Sequence, residues 1–598
     1  MSLSSSLQVG VSGLTTSQNA LNTTAHNLAN VNTKGYTRQQ VVMADFAYQK
    51  WGVNHISTLQ TGLGVDIETV RQVRNMFYDK SYRTEVGRQG FYQTQYEAVQ
   101  EVEGMFGELE GVSFQNSIND LWTSLQEFAK TPGTIENRAS LLEDAQSFME
   151  RADNISKQLS DYQVNLNKQI QEKVNNINDI ASKIYNLNQK ISLYESNGQE
   201  HANDLRDERN NLLDELGGII NISYKENSIG VVTVNAENMP LVTETETYKM
   251  DVAKVSESSD LLKPVWTSYN QDVYRMDLPI STENNTDVGS LKGLLVSRGS
   301  DKANYTDIPV KPVKTTGMTD AQYDAAMADY ADKVKEYNST VNVSVIMTVQ
   351  AQFDQLIHGI VTSINDIFSP NKEVTLAGNV TLPDGTTLNS GNKIMVLDED
   401  NAPHGMDNPD YTQGEALFNR KSTSRYSDPI SVKIYDENGN PTTKNVRIYN
   451  KEDSSDIYSM FTLGEIEINP EISNNYSKLP LSTGDKATAI DTKSADKLLA
   501  LWDKPFASIS PNSLAVSNFK DYYTNFIGEL ANRGKELDTI SQNQATMVQN
   551  IDDQRQAVMG VSSDEELMNL IKYQHAYNAS SRFITVIDQM LEHIVTRL

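Results

Sequence analysis

The side chains best able to do chemistry in this sequence are poorly placed to do it together. Seven histidines are scattered over 598 residues. No two have the helical spacing that clamps a metal, and no HExxH occurs. His575 lies one position from an apolar stripe and reads as an ordinary helix residue. The densest acidic stretch, DEDNAPHGMDNPD over 398–410, gathers Asp398, Glu399, Asp400, Asp407 and Asp410. Oxygen ligation of calcium is the chemistry such a stretch could do. Its spacing misses the EF-hand pattern, so a solvated acidic loop is the plainer reading. Gly62 and Gly64 in TGLGVDIETV lack the third glycine and the following helix start of a dinucleotide fingerprint. GxSxG and phosphate-loop motifs are absent. The expectation is therefore no enzyme, with no catalytic, cofactor-binding or metal-ligating residue and no cofactor.

Composition narrows the partners. With 51 basic and 79 acidic side chains the net charge is 51 − 79 = −28. Such a chain repels phosphate backbones and anionic lipid, so no nucleic-acid partner is expected. No window holds about 18 consecutive apolar residues, so no membrane insertion is expected. The opening MSLSSSLQVG lacks the basic and apolar regions of a secretory signal. With no cysteine, disulfides, thiolate metal sites and cysteine nucleophiles are all excluded.

Helices dominate both ends. Leu7, Val11, Leu14, Leu21, Ala25 and Leu28 step by four and three, with Gln18 in one slot, which is a coiled-coil seam. Gly10 and Gly13 weaken it, since glycine in a helix costs about 1 kcal/mol against alanine. Asn30 and Asn32 disfavour continuation, and Gly35 is placed to end the helix with Tyr36 as its apolar flank. At the other end Leu570, Tyr573, Tyr577, Ser580, Ile584, Ile587, Leu591, Ile594 and Leu598 form a second seam. Upstream, Leu537, Ile540, Gln544, Met547, Ile551, Gln554 and Val558 form a third. Between these two, GVSSDEE ends one helix at Gly560. It caps the next with Ser562 or Ser563 and a box acid at Glu565 or Glu566. The two helices are expected to be antiparallel or sharply bent neighbours.

In the middle, Ile155, Leu159, Tyr162, Leu166, Ile170, Val174, Ile177, Ile180, Ile184, Leu187 and Ile191 mark a helix from about Ile135 to Tyr194. NDLRDERNNLLDEL, 203–216, is its returning partner, and a further helix covers about 341–368. YKENSIGVVTVNAENMPLV (224–242) and several runs in 371–495 alternate as strands, with Asn438-Gly439 as a hairpin turn. Residues 301–340 read as a polar, flexible excursion.

One set of residues carries a resemblance. Ser12-Gly13-Leu14, Leu21, Asn27-Leu28-Ala29-Asn30, Thr33, Gly35-Tyr36 and Arg38-Gln39 match the N-terminal signature of the bacterial flagellar axial proteins, the rod, hook and junction family. Further stretches resemble the hook-associated protein 1 branch, the hook–filament junction proteins. These are ALNTTAHNLANVNTKGYTRQQVV, TGLGV followed by MFYDKSYR, NDLRDERNNLLDEL, GSLKGLLVSR, and GVSSDEELMNLIKYQHAYNASSRFITVIDQML with its Asp564-Glu565-Glu566. The basic residue that family places before Phe77 falls at Arg71 or Arg74. Residues 301–340 and 371–495 resemble nothing placed.

The resemblance implies a non-enzymatic structural protein at the hook–filament junction. It would be exported by the flagellar type III route without a cleaved signal peptide and be extracellular. Its implied partners are further copies of itself, the hook protein, a filament-side junction protein and a cytoplasmic export chaperone holding the C-terminal helices. The implied assembly motif is Ser12, Gly13, Leu14, Leu21, Asn27, Ala29, Asn30, Thr33, Gly35, Tyr36, Arg38 and Gln39. The implied assembly and chaperone helix presents Leu570, Tyr573, Tyr577, Ile584, Ile587, Leu591 and Ile594. The expected fold is α+β and multidomain. Residues 1–60 with 541–598 form a terminal α-helical coiled-coil layer, and 61–300 with 341–370 and 496–540 a long, mainly helical domain. Residues 301–340 are the excursion and 371–495 a β-rich inserted outer domain. Rival readings are a hook or distal-rod protein, a class that generally lacks the 135–216 helical hairpin, an enzyme carried in 371–495, and a soluble adhesin or coiled-coil scaffold.

Overall fold

The computed structural model describes residues 3–51, 59–107, 113–197, 201–257, 259–315, 317–382, 385–436, 439–484, 489–513 and 515–597. The fold is α+β, with long helices and small sheets. Its helices are α1 (Leu3–Ala29), α2 (Met76–Phe106), α3 (Phe114–Lys130), α4 (Ile135–Tyr194), α5 (Asn203–Ile219) and α6 (Ser290–Arg298). They continue as α7 (Asp320–Ser339), α8 (Val345–Phe368), α9 (Pro470–Asn474), α10 (Thr492–Ala500), α11 (Phe519–Met559) and α12 (Ser563–Arg597). The strands pair antiparallel in sheets of two or three.

The longest helix follows directly from its sequence. α4 has 60 residues without proline or glycine, which at 1.5 Å per residue is about 90 Å. Ten of its eleven expected stripe residues are buried, and Tyr162 is half-buried. α5 returns along it. There Arg209, fully buried, donates from Nη1 to Asn188 Oδ1 of α4 at 2.9 Å and to the Gly230 carbonyl at 2.5 Å. Edge-to-face phenylalanines lock the other end of the body. Phe353 of α8 lies 5.3 Å from Phe106 and 5.0 Å from Phe114, and Phe106 lies 5.1 Å from Phe526 of α11.

Three expectations need correction. α12 does not turn back beside α11: α11 packs along α2, and α12 along α1. The α11 stripe also slips. Leu537 is buried, but Gly534, Ser541, Arg555 and Met559 are its companions, while Met547 and Val558 are exposed. A straight helix advances at 3.6 residues per turn, so a 3.5-residue stripe drifts off the contact line within a few turns. The 301–340 stretch is not simply flexible, because α7 fills its second half. Thr319 and Gln322 form a reciprocal capping box there, although only Tyr337 of that helix is buried.

Hydrophobic packing within 371–495 runs to two places. Leu376, Val396, Val432, Ile434, Val446 and Ile448 form their own cluster. Leu417, Phe418, Phe461, Leu463 and Leu481 join the main core. The Ile430–Tyr435 and Pro441–Val446 strands pair as the expected hairpin, and Gly439 takes φ +77°. Asn438 lies outside the described residues, as does Leu598. The β-rich part is pinned to α8 by carboxylates. Asp354 accepts from Tyr305 N, Thr462 Oγ1 and Leu463 N at 3.0, 2.7 and 2.7 Å. Glu452 accepts from Phe461 N at 2.9 Å and from the Tyr305 hydroxyl, and lies 3.2 Å from His358 Nε2.

Candidate assembly site

The two chain ends meet in a polar node. Asn27, 1% exposed in the last turns of α1, uses its whole carboxamide. Its Oδ1 accepts from Tyr36 Oη at 2.8 Å and Gln39 N at 3.0 Å. Its Nδ2 donates to Gln39 O at 2.9 Å and to Glu566 Oε2 at 3.1 Å. The chain reverses between them as expected. Thr33 Oγ1 donates to Asn30 Oδ1 at 3.0 Å, and Gly35 takes φ +79°. A Cβ on Gly35 would lie 2.0 Å from Asn211 Oδ1 of α5, so both conformation and crowding demand glycine.

Glu566 has a different role from the expected capping box. Ser562 Oγ accepts from Glu565 N at 3.5 Å, but the buried Glu566 carboxylate turns to Asn27 and to Arg38 Nε, 2.9 Å away. Arg38 also reaches Glu565 at 3.0 Å, and its N–H donates to the Met559 carbonyl at 2.9 Å. One arginine thus holds the end of α11 and the start of α12.

The same turn is bound to the body. Thr37 donates from N and Oγ1 to Asp207 of α5 at 3.0 and 2.6 Å, and Gln72 Nε2 donates to Asp207 at 2.8 Å. Burial pushes the Asp207 carboxyl up to about 6, against the pull of Thr37 and Arg74. Arg74, not Arg71, is the basic residue in this network: it forks onto Asp79 at 2.6 and 3.1 Å. Arg555 Nε lies 2.9 Å from Asp79, and Arg555 donates from Nη2 to Asp214 at 2.6 Å. Arg83 donates to the same Asp214 at 2.6 Å. Two carboxylates thus each bridge two arginines, joining α2, α5 and α11.

Above the node α1 and α12 run together, but the face of α1 that is buried is not its leucine line. Ser5, Gly10, Thr16, Ser17, Ala20, Thr24 and Asn27 are buried, while Leu7, Leu14, Leu21 and Leu28 are half-buried and Val11 and Ala25 are exposed. Close approach explains the choice. A Cβ on Gly10 would lie 2.8 Å from Ile584 Cγ1, and one on Gly13 2.8 Å from Ser580 Oγ. The expected cost of these glycines is exchanged for helix contact. Ser12 faces the Val65–Gln72 strand instead, accepting from Val65 N at 3.2 Å. Ala29 and Thr33 are exposed. On α12 the expected phase holds where it meets α1: Leu570, Tyr573, Tyr577 and Ile584 are half-buried and Ile587 is buried, while Leu591 and Ile594 are exposed.

Sequence reasoning missed Thr37, Asp79, Arg83, Asp207, Asp214 and Arg555. One signal existed: Asp207 and Asp214 stand seven residues apart, two turns along one face of α5. Among the described residues no group of three histidine, aspartate or glutamate side chains is arranged to hold a metal ion. Asp398 and Asp400 face Lys372, and Asp407 accepts from Thr412. No helix among the described residues is long and apolar enough to cross a membrane.

Comparison with known proteins follows the same division of the chain. Residues 99–383 match the model of the flagellar hook-associated protein FlgK helical domain. Residues 7–37 match that of the flagella basal body rod protein, and 554–597 that of the flagellar basal body rod FlgEFG protein C-terminal. Flagellar hook-associated protein 1 of Bacillus subtilis (strain 168) is 24% identical over 605 residues, covering 98% of this chain and 97% of its own. The Salmonella typhimurium protein of that name is 24% identical over 99% of this chain and 100% of its own. The Escherichia coli (strain K12) protein is 22% identical over the same shares. The solved flagellar hook junction protein FlgK from Burkholderia pseudomallei aligns at 13% identity and a TM-score of 0.45, covering 80% of this chain and 100% of that one. Rod-type segments at both ends of a hook-associated helical domain define a structural protein of the flagellar axis. The chain belongs to the flagellar hook-associated protein 1 family, and it is a component of the hook–filament junction.

Proposed function

We propose that the chain builds the junction by self-assembly through the α1–α12 pair, with the motif residues 12–39 fixing the pair to the body. The observation that carries this is the second face of α12. One side lies on α1, while Val586 and Met590 are 46% and 54% exposed, and Phe583, whose ring edge reaches Gly10 of α1, still leaves 44% of its surface exposed. Full burial of side chains of this size is worth about 1.5–3 kcal/mol each. Copies stacked side by side would supply that burial. The half-buried leucine line of α1 offers a second strip for the same purpose.

On this reading the hook protein lies on one side of the ring and a filament-side junction protein on the other. The subunit leaves by the flagellar type III route without a cleaved signal peptide and works outside the cell. A cytoplasmic chaperone covers the exposed α12 face before export. The role is structural, with no catalysis, and the charge of −28 supports protein partners rather than nucleic acid.

The test replaces Val586 and Met590 together by serine. The monomer should keep its melting temperature, because these side chains pack on little within it. Cells carrying only the variant should make hooks without filaments and shed filament subunits into the medium, as should a deletion strain. Normal filaments in either strain would refute the reading.

A further inference from the structure

Beside the node lies an arginine-lined hollow in which Arg74, Arg83 and Arg206 are paired with Asp79, Asp214, Glu195 and Glu226, while Arg71 has no carboxylate partner among the described residues. A cavity of 280 Å³ between the start of α2 and α5 is lined by Arg71, Arg74, Arg83 and Arg206, with Asp79 and Glu226 as its acids. Arg83 is 3% exposed, and its Nη1 has no hydrogen-bond acceptor among the described residues. Among the described residues Arg71 reaches only the amide oxygen of Gln40, at 3.2 Å. The rim is apolar: Met76 lines the cavity 65% exposed, and Phe77 beside it is 71% exposed. Arginine with exposed large apolar side chains is the composition of protein docking sites.

The complementary surface is on the same chain. The start of α12 carries exposed Asp564 and Glu565, followed by exposed Leu567, Met568 and Ile571. It cannot reach the cavity of its own molecule, because Arg38 and Asn27 hold Glu565 and Glu566 at the node. The two surfaces nevertheless lie at one level of the molecule. Arg74 of the cavity donates to Thr37 at 3.3 Å, and Thr37 adjoins Arg38, the partner of Glu565.

We propose that the arginine cavity of one subunit receives the acidic, apolar start of α12 from the next copy of this chain. The contact rests on the assembly reading above and specifies its geometry. Two different patches make a heterologous contact, and repetition of such a contact closes a ring where the rotation is a whole fraction of a turn and winds a helix where it is not. Burial excludes water from the carboxylate–guanidinium pairs, and the apolar rim packs on Leu567 and Met568.

The absence of native cysteine makes the test clean. The full-length chain carrying both Arg71→Cys and Asp564→Cys is expressed in cells lacking the wild-type protein, and isolated flagella are treated with a short thiol cross-linker. The expected result is a ladder of covalent dimers, trimers and larger oligomers that consumes most of the monomer band. Either single variant should stay monomeric. The pair Met76→Cys with Met568→Cys, which removes no charge, should give the same ladder and covers the case in which loss of Arg71 blocks assembly. Assembled flagella in which the double variants remain monomeric overturn the proposal, as do dimers from a single variant. Labelling of the wild-type chain at the hook end is scored separately, and its absence there would sink the end-helix reading instead.

Discussion

Asn27 and Glu566 are 539 positions apart in sequence and share a buried hydrogen bond of 3.1 Å. That bond ties the last turns of the first helix to the first turn of the last one. The angle of the end pair on the body is therefore set by side chains rather than by the covalent chain.

Asn27→Ala should leave four groups unpaired: Tyr36 Oη, Gln39 N and O, and one oxygen of Glu566. A buried polar group stripped of its partner costs about 1–3 kcal/mol. Hydrogen exchange should rise in 27–39 and 563–570 while α4 stays protected. Asn27→Asp should be worse, because it sets a second carboxylate against Glu566. Equal stability of the aspartate and wild-type proteins would contradict this account.

Gly10→Ala separates propensity from packing. In an isolated peptide of 3–29 the change should raise helicity, since alanine gains about 1 kcal/mol over glycine. In the full chain the new methyl meets Ile584 Cγ1 at 2.8 Å, so the α1–α12 pair should loosen. The combination with Ile584→Ala should recover part of the loss in melting temperature.

Asp207 gives a pH dependence with a definite sign. Burial raises its folded pKa to about 6 from the ordinary 3.8, so the folded chain binds this proton more tightly than the unfolded one. Its contribution is fully present below the unfolded value and is lost as pH rises through the folded one. Asp207→Asn should flatten the stability profile across that window. It should also lower stability throughout, because an amide donor then faces the donors of Thr37 and Gln72.

Glu452 works in the opposite sense. Burial alone would raise it, but His358, Tyr305 and the Phe461 N–H outweigh burial and hold it at about 2, against the ordinary 4.5. Its stabilisation is present above the unfolded value and is lost as pH falls toward 2. Glu452→Gln should remove this part of the acid transition. Protection of 301–308 and 452–463, referred to the intrinsic exchange rate at each pH, should then lose the fall on the acid side that Glu452 causes.

Whatever depends on local period and local stereochemistry could be read from the residues alone. The bounds of α4 at Ile135 and Tyr194, the α12 phase through Ile584 and Ile587, and the reversal at Gly35 were all legible. Helix stripes and left-handed glycines depend on neighbours a few residues away. Which helices pair, and which face each one gives up, is settled by packing in the folded chain. Leucines marked one strip of α1, yet glycines and small polar residues allow α12 to approach more closely, and that face is the buried one. α11 took α2 as its partner, and Arg555 found Asp79 and Asp214. Those choices join residues hundreds of positions apart, and no periodicity within a single segment encodes them.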